Sequence, residues 1–366
     1  MKRLGLALGA SVLLATLAVG PAVAAGPTYS VIASGLHNPR GLTFGPGGRL
    51  YVAEAGTGTG SSTPHVGFDG AIHEIRNPGA AHPAMRTVIS GLLSLGSPEG
   101  DVVGVDGISA HGNGGIYAIM AESTNATHQA GAGQLLKVTA SGQMKTVANV
   151  GSVNYLWTGA HPLLDPGGQY PDANPYGILA LPGRQYVVDA GSNTLNMVTA
   201  SGTVSVLAFF PNNSTSNATP TCVTQGPDGA LYVGTLSLVE SFVHGPSAKV
   251  YRIDPASLSS GSVKMLGAAD EWATGLQPIN GCAFGPNGAL YVSQLFTSVS
   301  FGPGGLAPAG GDVVKLPFSH PASHISLTGG TLPLAGGVAV ASDGTVYAVG
   351  LTAFAPTGFV ARLNRH

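Results

Sequence analysis

One short pattern recurs along this chain: a tight glycine-rich turn followed at once by an apolar strand that contains a tyrosine. It is written "GPGGRLYV" near the start and returns as "GPDGALYV", "GPNGALYV" and "SDGTVYAV". Aligned on the strand tyrosine, the sequence contains six such units, at Tyr51, Tyr117, Tyr186, Tyr232, Tyr291 and Tyr347. A repeat with this spacing indicates an architecture built from identical supersecondary units.

Each unit is predicted to hold four strands. A short apolar strand precedes the tyrosine strand by about ten residues, and a third strand follows a variable loop. A fourth strand follows in most units, as in "MRTVIS" and "TVSVLAF". The composition suits short strands and turns, because only 9% of residues are charged and Gly (56) and Pro (26) are abundant. We therefore predict an all-β fold, a six-bladed β-propeller with four antiparallel strands per blade.

The two ends of the sequence favour a closed ring over an open stack of sheets. The last unit stops at "FVARLNRH", after its third strand, whereas "YSVIASGL" stands alone before the first unit. We expect this N-terminal strand to pair with the last blade as its fourth strand, which leaves no loose sheet edge.

Residues 1–25 are predicted to be a secretory signal peptide. The segment has a basic start ("MKR"), an apolar stretch, and small residues that favour cleavage after Ala24 or Ala25. The alternative is an uncleaved membrane anchor, although no later run is apolar enough to cross a bilayer. We expect residues 26–366 to form a single propeller domain, secreted or periplasmic, and monomeric. A net charge of −2 without a basic cluster argues against nucleic acid as a partner.

The repeat also predicts which face of the ring carries function. The turns between first and second strands hardly vary and are scaffold, with Gly, Asp or Asn at positions that favour positive φ. The connections between second and third strands, and the crossings between blades, lie on the opposite face and vary greatly in length. This second surface, the loop-rich face, is the expected binding face.

Polar and aromatic side chains are predicted to converge on the loop-rich face. For the histidine among them, the alternative is that an isolated loop histidine is simply exposed to solvent. For the aromatic residues, the alternative is that they anchor the long segment 151–174 by packing. The candidate ligand contacts are Asn38, Arg40, His65, Asp106, Trp157, Tyr176, Asn280 and Gln294. No catalytic residue is assigned, because the chain has no HExxH and no GxSxG motif.

A calcium site is a further prediction for this face. Glu54 and Asp189 occupy corresponding places at the exits of second strands, and Asn174 precedes an innermost strand. Carboxylate and amide oxygens suit Ca²⁺. The alternative is that these groups satisfy backbone N–H groups and ordered water.

The two cysteines, Cys222 and Cys282, stand on the innermost strands of blades four and five, one place apart in register. A disulfide and a pair of buried free thiols both fit this placement.

Two stretches carry a family resemblance, "GLHNPRGLTFGPGGRLYVAEAGTG" and "YPDANPYGILALPGRQYVVDAGSNTLNMV". They resemble the ScyD/ScyE family of secreted bacterial propellers, and the likeness extends more weakly over the mature chain. The architecture is also similar to NHL-repeat, TolB-like, gluconolactonase and sugar-dehydrogenase propellers. The lactonase resemblance implies calcium held by Glu, Asn and Asp, a set that Glu54, Asn174 and Asp189 match.

Two functions follow as hypotheses. One is an exported, non-catalytic propeller that binds a small molecule, a glycan or a partner protein at its loop-rich face. The other is a calcium-dependent hydrolase, such as a lactonase, or a sugar-oxidoreductase-like enzyme.

Overall fold

The structure is a computed structural model that describes residues 28–59, 65–97, 100–111, 115–213, 216–302 and 305–364. The predicted signal peptide lies outside these residues.

Strand β1 (Tyr29–Leu36) comes first, and three blades follow it. Blade one comprises β2 (Pro39–Gly45), β3 (Arg49–Glu54), β4 (His65–Arg76), β5 (Ala84–Gly96) and the short β6 (Val102–Val103). Blade two comprises β7 (Val105–Ala110), β8 (Ile116–Met120), β9 (Gln134–Val138) and β10 (Met144–Asn149). Blade three comprises β11 (Pro175–Leu181), β12 (Arg184–Asp189), β13 (Thr194–Thr199) and β14 (Val204–Phe209).

The second half of the chain builds three more blades with two small hairpins between their strands. The first hairpin is β15 (Asn212–Asn213) and β16 (Ser216–Asn217). Blade four comprises β17 (Pro220–Gln225), β18 (Leu231–Thr235), β19 (Ala248–Ile253) and β21 (Glu271–Leu276). The short strand β20 (Lys264–Met265), which precedes β21 in the chain, joins blade three. Blade five comprises β22 (Ile279–Phe284), β23 (Leu290–Gln294) and, after the hairpin of β24 (Ser298–Gly302) and β25 (Gly305–Ala309), β26 (Asp312–Leu316) and β27 (Ile325–Ser326). Blade six comprises β28 (Val338–Val340), β29 (Val346–Gly350) and β30 (Gly358–Leu363).

The ring closes as predicted. Strand β1 pairs antiparallel with β30 and becomes the fourth strand of blade six, with Tyr29 opposite Leu363 and Leu36 opposite Gly358. Each innermost strand contacts the innermost strand of the next blade, and β28 contacts β2. The chain is therefore a six-bladed β-propeller.

The hydrophobic core lies between blades. In the described part of the chain each pair of neighbouring blades shares one cluster of buried apolar side chains, such as Tyr51 and Ile72 of blade one with Ile108 of blade two. Tyr51 and Tyr232, two of the repeat tyrosines, are 2% and 0% exposed. The apolar strands thus recur in every unit because each blade must bury its apolar surface against the next blade.

The helices lie in the connections. They are α1 (Thr124–Thr127), α2 (Val150–Ala160) and α3 (Leu238–His244), with 3-10 turns at Pro46–Gly48, Pro162–Leu164, Pro255–Ser257 and Ala268–Asp270. Helix α2 corrects the expectation of a loop across 151–174. Its start is capped by the Asn149 side chain, which accepts a 2.8 Å hydrogen bond from the Ser152 N–H.

No helix in the described ranges is both long enough and apolar enough to cross a membrane.

Candidate functional site

The innermost strand of several blades carries an irregularity at the same place, its second residue. In blade two, Val105 pairs with Met120 and Gly107 pairs with Ile119, so Asp106 has no partner in the ladder. The same break occurs in four other innermost strands, at Arg40–Gly41, Tyr176, Thr221 and Asn280. A β-bulge releases the extra residue from the ladder and re-aims its side chain. Five blades therefore each free one side chain near the ring axis.

The released residues surround a small cavity on the ring axis, at the starts of the innermost strands and hence toward the loop-rich face. The cavity volume is about 60 Å³, room for about four water molecules or one small polar head group. Its lining includes all five bulge residues, Arg40, Asp106, Tyr176, Thr221 and Asn280. We call this site the channel mouth.

Four of these five side chains were predicted from the sequence as ligand contacts, and the structure brings them together. Thr221 was missed. The signal that identifies it is its place in the aligned repeat, directly before Cys222, where four of the other five blades have a polar or aromatic residue directly before glycine.

Glycine residues on the innermost strands allow these strands to pack closely around the ring axis. A Cβ atom added to Gly107 would lie 2.3 Å from the carbonyl oxygen of Tyr176, and one added to Gly337 would lie 2.6 Å from that of Arg40. These distances are far below van der Waals contact. The glycine that follows the bulge residue thus lets neighbouring innermost strands approach, and the approach brings the bulge side chains within reach of one another.

Cys222 of blade four stands at the position where the innermost strands of the other blades have glycine, and this position explains why it pairs with Cys282. A Cβ atom at that place faces the next blade: on Gly41 it would lie 3.1 Å from Cγ2 of Ile108, the residue after the glycine of blade two. The corresponding residue of blade five is Cys282. The two cysteines form a disulfide, with Cα atoms 5.7 Å apart, that joins blades four and five beside the cavity.

Arg40 is the cation of the channel mouth. Its Nη2 donates to Asp101 Oδ1 at 2.9 Å and to the Val102 carbonyl oxygen, and its Nε lies 3.8 Å from Asp106 Oδ1. Burial acts to lower the pKa of Arg40, but the charges of Asp101 and Asp106 outweigh it and raise the pKa. Arg40 stays charged although it is only 6% exposed.

Asp106 is the acid of the channel mouth. It is 1% exposed, its Oδ1 accepts a 3.2 Å hydrogen bond from the Gly104 N–H, and its Oδ2 has no hydrogen-bond partner in the described part of the chain. Burial raises the pKa of Asp106 to about 7, although the Arg40 charge acts to lower it. Near neutral pH this carboxyl is therefore poised between its two protonation states.

A hydrogen bond joins two of the remaining channel-mouth side chains. The Tyr176 hydroxyl donates to Asn280 Oδ1 at 2.6 Å. Burial raises the pKa of Tyr176 to about 12, so the phenol stays protonated. The Thr221 hydroxyl donates to the Ile279 carbonyl oxygen at 2.7 Å.

Two further carboxyls of the loop-rich face were not predicted from the sequence, Glu122 and Asp172, and neither lines the channel-mouth cavity. Burial raises the pKa of Glu122 to about 7, and the charges of Asp172 and Asp106 add to the rise. Burial, with the charge of Asp189, raises the pKa of Asp172 to about 6. The fold thus brings these acids close enough to affect one another although they are far apart in the sequence.

Glu54, the first residue predicted to bind calcium, lies between two histidines. Its Oε1 accepts from the His37 N–H at 2.9 Å and lies 3.0 Å from His37 Nδ1, and its Oε2 contacts His73 Nε2. Burial acts to raise the pKa of Glu54, but these hydrogen bonds outweigh it and lower the pKa.

Asp189 and Asn174, the other two, are neighbours but use different partners from Glu54. Asp189 Oδ1 accepts from the N–H groups of Asn174 and Ser192, both at 2.8 Å, and its Oδ2 accepts from Asn154 Nδ2 at 2.7 Å. None of the three predicted ligands lines the channel-mouth cavity. Within the described ranges no three His, Cys, Asp or Glu side chains are placed to hold a metal. The calcium site stays a prediction.

The remaining predicted contacts lie outside the channel mouth. Asn38, at φ 48°, lines a neighbouring groove of about 320 Å³ with Val102 and Phe354. Gln294 is buried at the end of β23, opposite Ile279.

His65 and Trp157 differ from their predicted settings. His65 begins strand β4 instead of lying in a loop, and it pairs with Gly96. Trp157, on helix α2, stacks on His161 with ring centroids 4.4 Å apart. Its ring centroid also lies 6.0 Å from that of Phe209 at the end of β14, so Trp157 packs between its own helix and blade three and does not line the cavity.

Comparison with known proteins shows that the fold is shared and shows no closer relationship. No protein-family model matches the sequence, and no curated protein matches it. A putative oxidoreductase (glucose dehydrogenase) from Thermus thermophilus superposes with a TM-score of 0.55 at 16% identity, over 93% of this chain and 100% of that one. The fold is shared.

Two other solved structures match at lower similarity. A luciferin-regenerating enzyme has a TM-score of 0.48 at 14% identity, over 93% of this chain and 96% of that one. Virginiamycin B lyase from Staphylococcus aureus has a TM-score of 0.46 at 12% identity, over 90% of this chain and 95% of that one.

Proposed function

We propose that this protein is a ligand-binding propeller that takes the polar head group of a small molecule into its channel mouth. The observation that carries the proposal is the series of bulges. Five blades each interrupt their innermost strand at the same residue, and the five side chains so released line one cavity. A bulge costs ladder hydrogen bonds, so its recurrence at the cavity indicates selection for what the side chains face.

The wider setting of the proposal is an exported protein of the ScyD/ScyE type. The sequence resemblance and the predicted signal peptide support it. The disulfide between Cys222 and Cys282 supports it as well, since disulfides persist in oxidising compartments outside the cytoplasm.

Catalysis at the channel mouth is a second candidate function, and Asp106 is the observation that favours it. A buried carboxyl with a pKa of about 7 and an unpartnered Oδ2 suits a general acid or base. A lactone or sugar substrate would place its reacting oxygen against this atom.

Thermal shift with a panel of small polar molecules tests the proposal. The panel contains monosaccharides, sugar lactones, carboxylic acids and amines. The variant Asn280→Ala removes a channel-mouth amide, and Gln225→Ala is the matched control, because Gln225 is an exposed amide at the far end of innermost strand β17.

We expect at least one panel member to raise the melting temperature of the wild type and of Gln225→Ala, and to lose this effect with Asn280→Ala. A ligand that stabilises all three proteins equally binds elsewhere and contradicts the proposal, as does a panel without any stabilising member. Loss of the ligand with time, followed by NMR and abolished in Asp106→Asn, would establish catalysis instead of binding alone.

A further inference from the structure

We propose that the head group recognised at the channel mouth is an organic cation, an ammonium or guanidinium group held by Asp106. This inference rests on the proposed function and names the chemical class of its ligand. It is carried by an unpaired buried carboxylate oxygen and by an imbalance of charge around it.

The unpaired atom is Asp106 Oδ2. Only 1% of the surface of Asp106 is exposed, and the residue lines the cavity. Its other oxygen already accepts from the Gly104 N–H and faces Arg40. A buried acceptor without a donor is costly, and an N–H group of a ligand would satisfy it.

The charge imbalance follows from how Arg40 is used. Arg40 contacts two carboxylates, Asp101 at 2.9 Å and Asp106 at 3.8 Å, so one positive charge faces two negative ones. With Asp106 ionised, these three side chains together carry a net negative charge.

An anionic head group does not fit the same geometry. Arg40 Nη2 is engaged by Asp101 and by the Val102 carbonyl oxygen. Arg40 Nε has no hydrogen-bond partner in the described part of the chain, but it lies 3.8 Å from Asp106 Oδ1, so an anion that reached Nε would also meet the Asp106 carboxylate. Arg40 is thus a positioning residue that holds the Asp101 and Asp106 carboxylates in place.

A metal ion fits less well than an organic cation. Calcium takes six to eight oxygen ligands, and within the described part of the chain no three acidic or histidine side chains are placed to hold a metal. A guanidinium or ammonium group needs only hydrogen-bond acceptors, and the cavity of about 60 Å³ matches a head group of a few atoms.

A matched pair of probes tests the charge directly. Butylguanidinium and N-butylurea have nearly the same shape, but only the first is charged. Titration calorimetry at pH 8 compares their binding to the wild type and Asp106→Asn. Asp254→Asn is the control, because Asp254 is an exposed carboxylate remote from the mouth.

We expect butylguanidinium to bind the wild type and Asp254→Asn about tenfold or more tightly than butylurea, since charge-assisted hydrogen bonds exceed neutral ones by that order. Asp106→Asn should lose about tenfold in affinity for butylguanidinium. Binding should weaken from pH 8 to pH 6 as Asp106 takes up a proton, with Arg40, Asp101 and Tyr176 as the charged and titratable groups that face it.

Three results would overturn the inference. Equal affinity for the two probes would show that charge is not recognised. Unchanged affinity in Asp106→Asn would place the cation elsewhere. Displacement of butylguanidinium by calcium at lower concentration would assign the site to a metal. If panel molecules that lose binding with Asn280→Ala are neutral or anionic, the channel mouth remains a binding site and only its charge preference is wrong.

Discussion

The Tyr176 hydroxyl donates a 2.6 Å hydrogen bond to Asn280 Oδ1, and this contact joins blade three to blade five without passing through blade four. Both residues sit at bulges of their innermost strands. The bond therefore ties together two blades that share no sheet and no neighbouring core.

Removing this hydroxyl should destabilise the ring. Tyr176→Phe leaves Asn280 Oδ1 without this donor in a buried setting, and we expect a loss of about 1–3 kcal/mol in the free energy of unfolding. Urea denaturation measures it, with Tyr155→Phe on helix α2 as the matched control. A Tyr176→Phe protein as stable as the wild type would show that water replaces the lost donor.

The disulfide should contribute strongly to stability, because it closes a long loop. The two cysteines are 60 residues apart, and the chain-entropy estimate for such a loop is about 4 kcal/mol. We expect dithiothreitol to lower the guanidinium midpoint of the wild type but not that of Cys222→Ala/Cys282→Ala. Two titratable thiols in the unfolded protein before reduction would contradict the bridge.

Closure of the ring can be tested within strand β1 alone. Leu36 is 1% exposed in the core between blades six and one, whereas Val31 on the same strand is 51% exposed. Leu36→Ala should cost about 2–5 kcal/mol through the cavity it leaves, and Val31→Ala should cost less than about 1 kcal/mol. Similar small losses for both would mean that β1 does not seal the ring.

The stability should fall with rising pH across the mildly acidic range. Burial raises the pKa of Asp106 and Glu122 to about 7 and that of Asp172 to about 6, so the folded state holds protons that the unfolded state has released. The stabilisation is present below the ordinary carboxyl pKa of about 4 and is lost as the pH rises toward 7. We expect the loss between pH 5 and pH 8 to be smaller in Asp106→Asn, as measured by urea unfolding. An identical pH dependence in both proteins would show that Asp106 is ionised throughout.

The calcium prediction has a direct test in melting curves. Glu54 and Asp189 already accept hydrogen bonds from separate sets of donors, which a cation would have to displace. We therefore expect the wild type to melt at the same temperature with calcium and with a chelator. A stabilisation by calcium that disappears in Glu54→Gln/Asp189→Asn would establish the site that the sequence predicts.

The blade architecture could be predicted because its signals are local. The turn glycines, the alternation of short apolar strands and the tyrosine of each second strand are set within a few residues of one another. The unpaired "YSVIASGL" predicted the closing strand, the polar residues at the starts of the innermost strands predicted Arg40, Asp106 and Asn280, and the aromatic residues of the same face predicted Tyr176. All of this follows from the repeat.

What the tertiary structure decided depends on contacts between blades. The sequence did not decide between a disulfide and free thiols, because the two cysteines differ by one position in the aligned repeat. In the structure, a side chain at the glycine position of one innermost strand faces the residue one position further along the next innermost strand, so this difference of one position is what brings Cys222 and Cys282 together. Helix α2 was missed because its glycines and β-branched residues are poor helix formers, and the cap of Asn149 and packing outweigh that propensity. The two further acids of the loop-rich face were not predicted from the sequence either. Glu122 and Asp172 come from connections in different parts of the chain, and the fold brings them close enough for the charge of Asp172 to raise the pKa of Glu122, because that proximity depends on the whole fold and not on local sequence.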